Sequence, residues 1–131
     1  MATRSFIGIQ NPDGSVRGVY CHFDGYLEGV GSVLKSHYVD PQKVNSLVDL
    51  GGLSSLGREI GEKHDFDSPR YADYSGCTAY HRDRGEVLDI SVYPSRFSVS
   101  PADGGYEFIY VYTPEGWIYR TDEDETFLPV P

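Results

Sequence analysis

An α+β domain is the fold class this sequence predicts, with an antiparallel sheet of about five or six strands and two helices packed on one face. Three observations lead there. Two turns of the same chemistry, Asn11-Pro12-Asp13-Gly14 near the start and Thr113-Pro114-Glu115-Gly116 near the end, each separate two strand-like runs. Between them Asp40-Pro41 opens a segment with Val44, Leu47 and Val48 at helical spacing. Finally, 131 residues at 39% hydrophobic content can bury one core, and no linker-like stretch interrupts them, so residues 1–131 read as a single globular domain.

Taken in order, Ser5–Gln10 carries Phe6, Ile7 and Ile9 and pairs across the first turn with Val16–Phe23. Proline at the second turn position presets φ, and glycine at the fourth can take the left-handed conformation of a bulged hairpin loop. Alternation along the return strand puts Val19, Cys21 and Phe23 on one side and Tyr20 with His22 on the other. Tyr26–Tyr38 follows as a helix with Leu27, Val30, Val33 and Leu34 on its apolar stripe; Gly29 and Gly31 each weaken it by about 1 kcal/mol relative to Ala. In the next helix Asp40 is the N-cap, Pro41 the first helical residue, and Gly51-Gly52 the stop after Leu50.

Leu53–Gly57 is a small-residue loop, and the polar stretch from Glu62 to Gly76 is a long one, of the kind that in compact domains carries function. Strands are expected at Cys77–His81 and Val87–Tyr93, joined by an Arg-Asp-Arg-Gly turn, and a final hairpin at Tyr106–Tyr112 and Trp117–Thr121. That hairpin is apolar on both sides. Its aliphatic side, Ile109 and Val111, is expected to meet the helices. Phe108, Tyr110, Tyr112, Trp117 and Tyr119 are then left as an outer aromatic face for core completion and contact with a second subunit, so a homo-oligomer is expected. Residues 122–131 read as an acidic, proline-containing C-terminal tail.

Charge and cysteine content exclude several classes. A net charge of −9 opposes direct nucleic-acid binding, which draws on Lys and Arg against phosphates. From Glu107 to Pro131 the acids are Glu107, Glu115, Asp122, Glu123, Asp124 and Glu125, and the only base is Arg120; such a patch either solvates the chain or mimics nucleic acid toward a basic partner. Cys21 and Cys77 make no disulfide framework and read as buried free thiols of a reducing compartment. With neither a signal-peptide pattern nor a long apolar run, the expectation is a soluble cytoplasmic protein that contacts no membrane.

Hydrogen-bonding side chains concentrate where strands run into turns, at Val19–Tyr26 and at Tyr80–Glu86. His22 and Asp24 place an imidazole and a carboxylate on one strand side, as acid–base sites do. The remaining histidines and the Asp65/Asp67 pair do not follow metal-ligand spacing, so no metal and no cofactor are expected. Cys21 beside His22 points to the opposite side of a regular strand, which spoils a Cys–His dyad. His81-Arg82-Asp83 copies the kinase catalytic-loop tripeptide, but the other kinase elements are absent. Arg82 and Arg84 around Asp83 form either a local ion-pair network or an anion-recognition turn, since guanidinium groups capture phosphate or carboxylate bidentately.

The order Thr3-Arg4-Ser5-x-Ile7-Gly8, Tyr20-Cys21-His22-x-Asp24-Gly25-Tyr26, Leu53-Ser54-Ser55-Leu56-Gly57 and Tyr80-x-Arg82-Asp83-Arg84-Gly85-Glu86 resembles a family of small uncharacterised proteins of bacteriophage and prophage accessory regions. The resemblance spans residues 3 to 88. It implies a context, the cytoplasm of a host cell, and no catalytic assignment; small phage accessory proteins without enzyme motifs often bind and disable a host factor, including a defence system. The leading expectation is therefore a non-enzymatic binder that sequesters a nucleotide immune signal. Its ligand residues are expected to be Arg4, Arg82 and Arg84 for the phosphates, with Asp83 between them, and Tyr20, His22, Asp24 and Tyr26 for polar contacts. Two alternatives remain: an acidic inhibitor that blocks a nucleic-acid site of a defence complex through Asp122–Glu125, and a small hydrolase using His22 and Asp24.

Overall fold

The computed structural model describes residues 2–66 and 75–131. Among these residues, eight strands form one sheet: β1 (Ser5–Gln10), β2 (Val16–Cys21), β3 (Leu53–Ser55), β4 (Thr78–Ala79), β5 (Ser91–Tyr93), β6 (Phe108–Thr113), β7 (Gly116–Thr121) and β8 (Asp124–Pro129). The strand order is β4-β3-β2-β1-β6-β7-β8, with β5 also paired to β2. Most pairs are antiparallel, whereas β1–β6 and β2–β3 are parallel. The fold is α+β.

Both hairpin turns form as their residues require: Gly14 and Gly116 take φ of +90° and +109°, values a side chain would strain. The expected helix from Tyr26 begins with one wide π turn, Leu27–Gly31, before α1 (Ser32–His37). The glycine-weakened first turn is thus where regular helix is absent. In α2 (Pro41–Asp49) the Asp40 side chain accepts from the Gln42 N–H at 2.9 Å, and Val44, Leu47 and Val48 are buried.

Several expectations change, among them the loop at Leu53–Gly57, whose first three residues form β3. First, the edge of β2 is divided. The stretch Val87–Tyr93 is a strand only at its end, because the edge of β2 is shared: Val16–Gly18 pair with β5, but Cys21 already pairs with Leu53 of β3. Residues 85–90 therefore bridge a fork between the two. Second, Tyr80–Arg84 folds into a short helix, α3, stopped by Gly85 at φ +75°, so the Cys77–His81 strand is reduced to two residues and the Arg-Asp-Arg run is helical. Third, residues 122–131 are not simply a tail. They turn into edge strand β8, and Val130 is buried with its carbonyl accepting from Lys35 Nζ at 2.9 Å.

The last hairpin is inverted relative to expectation. Parallel pairing sets Ile7 beside Tyr110, and Phe6 beside Ile109; since Ile7 faces the helices, so does the aromatic side. Tyr110 and Trp117 belong to the core with Leu34, Tyr38, Val44 and Leu47, and Phe108, Tyr112 and Tyr119 pack against it. Tyr110 and Trp117 are thus buried on the helix side of the sheet, and Phe108, Tyr112 and Tyr119 are partly buried beside them, so this face points toward the helices and not away from them. Its polar tips satisfy backbone carbonyls around the helix ends: Tyr110 Oη donates to Gly25 at 2.6 Å, Tyr112 Oη to Val39 at 2.9 Å, and Trp117 Nε1 to Tyr38 at 2.9 Å. At Tyr110 and Trp117 the ring fills the core while its polar tip meets an acceptor that would otherwise lie buried and unpaired. The aliphatic side forms a second core with Phe6, Val16, Val99 and Tyr106, beneath β5 and the segment that follows it.

Candidate functional site

The candidate site lies at the fork of β2. Tyr20 stands between Gly18, which pairs with Ser91, and Cys21, which pairs with Leu53. A groove of about 720 Å³ opens there, lined by Tyr20, Gly52, Tyr80 and the stretch Gly85–Asp89. The strands on either side diverge, so the bridging residues cannot continue the ladder and their side chains face solvent; Val87 is 89% exposed and Leu88 45%. Exposed aliphatics and two tyrosines on one concave surface are the ordinary lining of a small-molecule site.

Several of the expected ligand residues meet beside this groove. Tyr20 Oη and His22 Nδ1 are 2.5 Å apart, and the His22 ring stacks edge-on against Phe23 at 4.5 Å. Tyr20 also contacts the Tyr106 ring at 6.3 Å, and Tyr106 touches Phe6, so an aromatic row runs from the second core to the surface. The β1–β2 register, Ser5 opposite Cys21, carried one residue further puts Arg4 opposite His22 on the same sheet face. The Arg4 side chain is exposed and passes by Gly105. Among the described residues it has no ion pair and no side-chain hydrogen bond.

Asp24 and Tyr26 shape the turn that leaves β2. Asp24 holds φ +61°, its carbonyl accepts the Val30 N–H at 2.8 Å, and its carboxylate accepts from Tyr26 Oη at 3.1 Å, which pushes the phenol pKa up. This unit turns the chain from β2 into the first helix. His22 and Asp24 do not hydrogen-bond to each other, so the two form no acid–base dyad.

The Arg82-Asp83-Arg84 run separates into scaffold and surface. Asp83 accepts from Ala79 N at 2.8 Å, His64 N at 3.1 Å and Arg82 Nε at 3.0 Å, with its side chain fully buried. Burial acts to raise its pKa, but the Arg82 hydrogen bond and the two backbone N–H donors outweigh that and hold it below the usual carboxylate value. Arg82 spends its remaining donors on Ile60 O at 2.9 Å and Cys77 O at 2.6 Å. Its guanidinium thus ties the 57–66 segment to β4 and α3, and is not presented to a ligand. Arg84 is half-exposed, pairs with Glu86, and lies over the Phe66 ring at 4.2 Å and the Tyr80 ring at 5.2 Å. Tyr80 and Phe66 are 5.4 Å apart, so the groove wall at Tyr80 is stiffened by a cation–π stack.

Burial, followed by the nearby Tyr20, raises the Tyr80 phenol pKa. The thiols of Cys21 and Cys77 are both fully buried; burial is the main cause that pushes Cys21 up to about 12 and Cys77 upward. No group of three or more His, Cys, Asp or Glu among the described residues is placed to hold a metal ion, and no helix among them is long and apolar enough to cross a membrane. Asp67, one of the pair weighed as a metal ligand, lies outside the described residues.

The sequence reading missed Tyr80, Leu88 and Asp89 as site residues. Val87-Leu88 looked like the start of a strand, and only the shared edge of β2 shows why it cannot be one. Comparison of this chain with protein-family models, with curated proteins and with solved structures finds no match.

Proposed function

We propose that this protein is a non-enzymatic binder of a small nucleotide, which it holds at the β2 fork and so withdraws from solution. The observation that carries the reading is the adjacency of two complementary surfaces through one residue. Tyr20 lines the groove with Tyr80, where a base can lie against aromatic and aliphatic side chains. Tyr20 also bonds His22, which stands across from the unpaired Arg4, where a phosphate finds a guanidinium and an imidazole. In a chain of net charge −9, an exposed guanidinium with no carboxylate partner among the described residues is available to an anion. The resemblance to phage accessory proteins supplies the setting, sequestration of a nucleotide signal used by a host defence system.

Native mass spectrometry of the full chain mixed with a panel of mono- and cyclic nucleotides tests this. A stoichiometric mass gain that weakens at least tenfold in Arg4→Ala supports it. A chain that gains no nucleotide at millimolar concentration refutes it.

One observation favours a second reading, the acidic protein inhibitor. Asp122, Glu123, Asp124 and Glu125 are all exposed at the β7–β8 turn, and they line a depression of about 760 Å³ together with the exposed Phe97. That reading predicts a basic protein partner whose capture fails steeply as salt rises.

A further inference from the structure

The groove at the β2 fork has an uneven distribution of hydrogen-bonding capacity. Of its two carboxylates, Glu86 is engaged by Arg84. Asp89 lines the groove, and among the described residues its side chain has neither an ion pair nor a hydrogen bond. Its backbone is well placed: Gly51 sits at φ +78° at the end of α2, and a Cβ there would stand 2.7 Å from Leu88 Cδ1 and 3.3 Å from Asp89 N. The 88–89 segment therefore closes directly on bare backbone, which holds Asp89 at the groove rim. The groups around its charge are Tyr93 and Tyr106, whose phenol pKa values rise mainly through burial and in part through Asp89 itself, and neither neutralises it.

A carboxylate is an acceptor with two oxygens and no proton to give. It therefore selects ligand edges that present adjacent N–H donors and repels phosphate. Guanine offers such an edge, with N1–H beside the N2 amino group; adenine offers one amino group beside a bare ring nitrogen, whose lone pair would face the carboxylate. We infer that the groove is selective for guanine nucleotides, with the base between Tyr20 and Tyr80, its N1–H/N2 edge on Asp89, and its phosphate outside the groove toward Arg4 and His22. The inference rests on the nucleotide-binding reading and fixes the base and its orientation. It follows from polarity: among the described residues the unpaired charge lining the groove is the negative one of Asp89, which disfavours entry of the phosphate.

The test is calorimetric titration of the full-length protein and its Asp89→Ala variant with GMP and with AMP. Asp89 is exposed at the end of a loop, so its truncation leaves the core intact, which the thermal midpoint of the variant verifies. The expected result is GMP binding about tenfold or more tighter than AMP in the unmodified protein, with the difference lost in Asp89→Ala through weaker GMP binding. Equal affinity for the two nucleotides, preference for AMP, or a guanine preference that survives Asp89→Ala overturns the assignment of guanine while leaving nucleotide binding in place. Binding of neither nucleotide overturns the guanine assignment, and the nucleotide-binding reading falls with it only where the cyclic nucleotides also fail to bind.

Discussion

Replacing Asp83 with Asn separates scaffold from surface within the Arg82-Asp83-Arg84 run. The Asp83 side chain is fully buried and takes hydrogen bonds from two backbone N–H groups and from the Arg82 guanidinium. In Asp83→Asn one acceptor oxygen becomes an NH₂ donor that faces donors, and Arg82, only 15% exposed at its side chain, loses its counter-charge. Breaking a buried pair by removing one partner costs about 3–5 kcal/mol. Because Arg82 keeps its bonds to Ile60 and Cys77, the lower end applies, about 3 kcal/mol. For a chain of 131 residues, an unfolding entropy of about 0.28 kcal/mol/K converts that into a fall in Tm of about 11 °C. Arg84→Ala removes a half-exposed pair with Glu86, and its effect on stability should stay below about 1 kcal/mol. Thermal unfolding followed by circular dichroism measures both. An Asp83→Asn variant that melts within about 3 °C of the parent, or an Arg84→Ala variant that loses as much as Asp83→Asn, would refute the division of roles.

Acid should release the same anchor. The folded-state pKa of Asp83 lies below its ordinary 3.8, so its contribution is fully present above that value and is lost as pH falls through the lower, folded-state one; in Asp83→Asn that part of the acid loss should be missing from urea-unfolding midpoints measured between pH 5 and 2.5. Tyr110→Phe leaves the buried Gly25 carbonyl without its 2.6 Å donor and should cost about 1–3 kcal/mol in chemical denaturation; a neutral effect would contradict the inward aromatic face. Cys21 and Cys77, buried and with raised pKa values, should resist iodoacetamide at pH 8 in the folded protein and react fully in urea, with mass spectrometry as the readout; rapid labelling of the folded chain would count against a closed core.

What the sequence made legible was local. The Pro-acid-Gly turns, the Asp40-Pro41 helix start and the Tyr20/His22 side of β2 are set by residues within a few positions of one another, and all stand in the structure. Facing was not legible for the last hairpin. Phe108–Tyr112 is apolar on both sides, so its alternation cannot say which side meets the helices; that depends on the parallel register with Ser5–Ile9, some hundred residues earlier in sequence. The site was half legible for the same reason. Tyr20, His22 and Arg4 follow from strand alternation and hairpin register, whereas Tyr80, Leu88 and Asp89 enter only because β3 and β5 divide one edge of β2. Nor could the sequence assign Arg82, since its partners Ile60 and Cys77 come from a segment with no periodic pattern.

The most direct measurement is an NMR titration of the isotopically labelled full chain with GMP, read as amide shift changes along the backbone. The account predicts saturable changes at Tyr20, His22, Gly52, Tyr80 and Gly85–Asp89, extending to Arg4 and Gly105, with the core strand Phe108–Thr113 unaffected. Shifts confined to Phe97 and Asp122–Thr126, or no saturable shift anywhere, would contradict it.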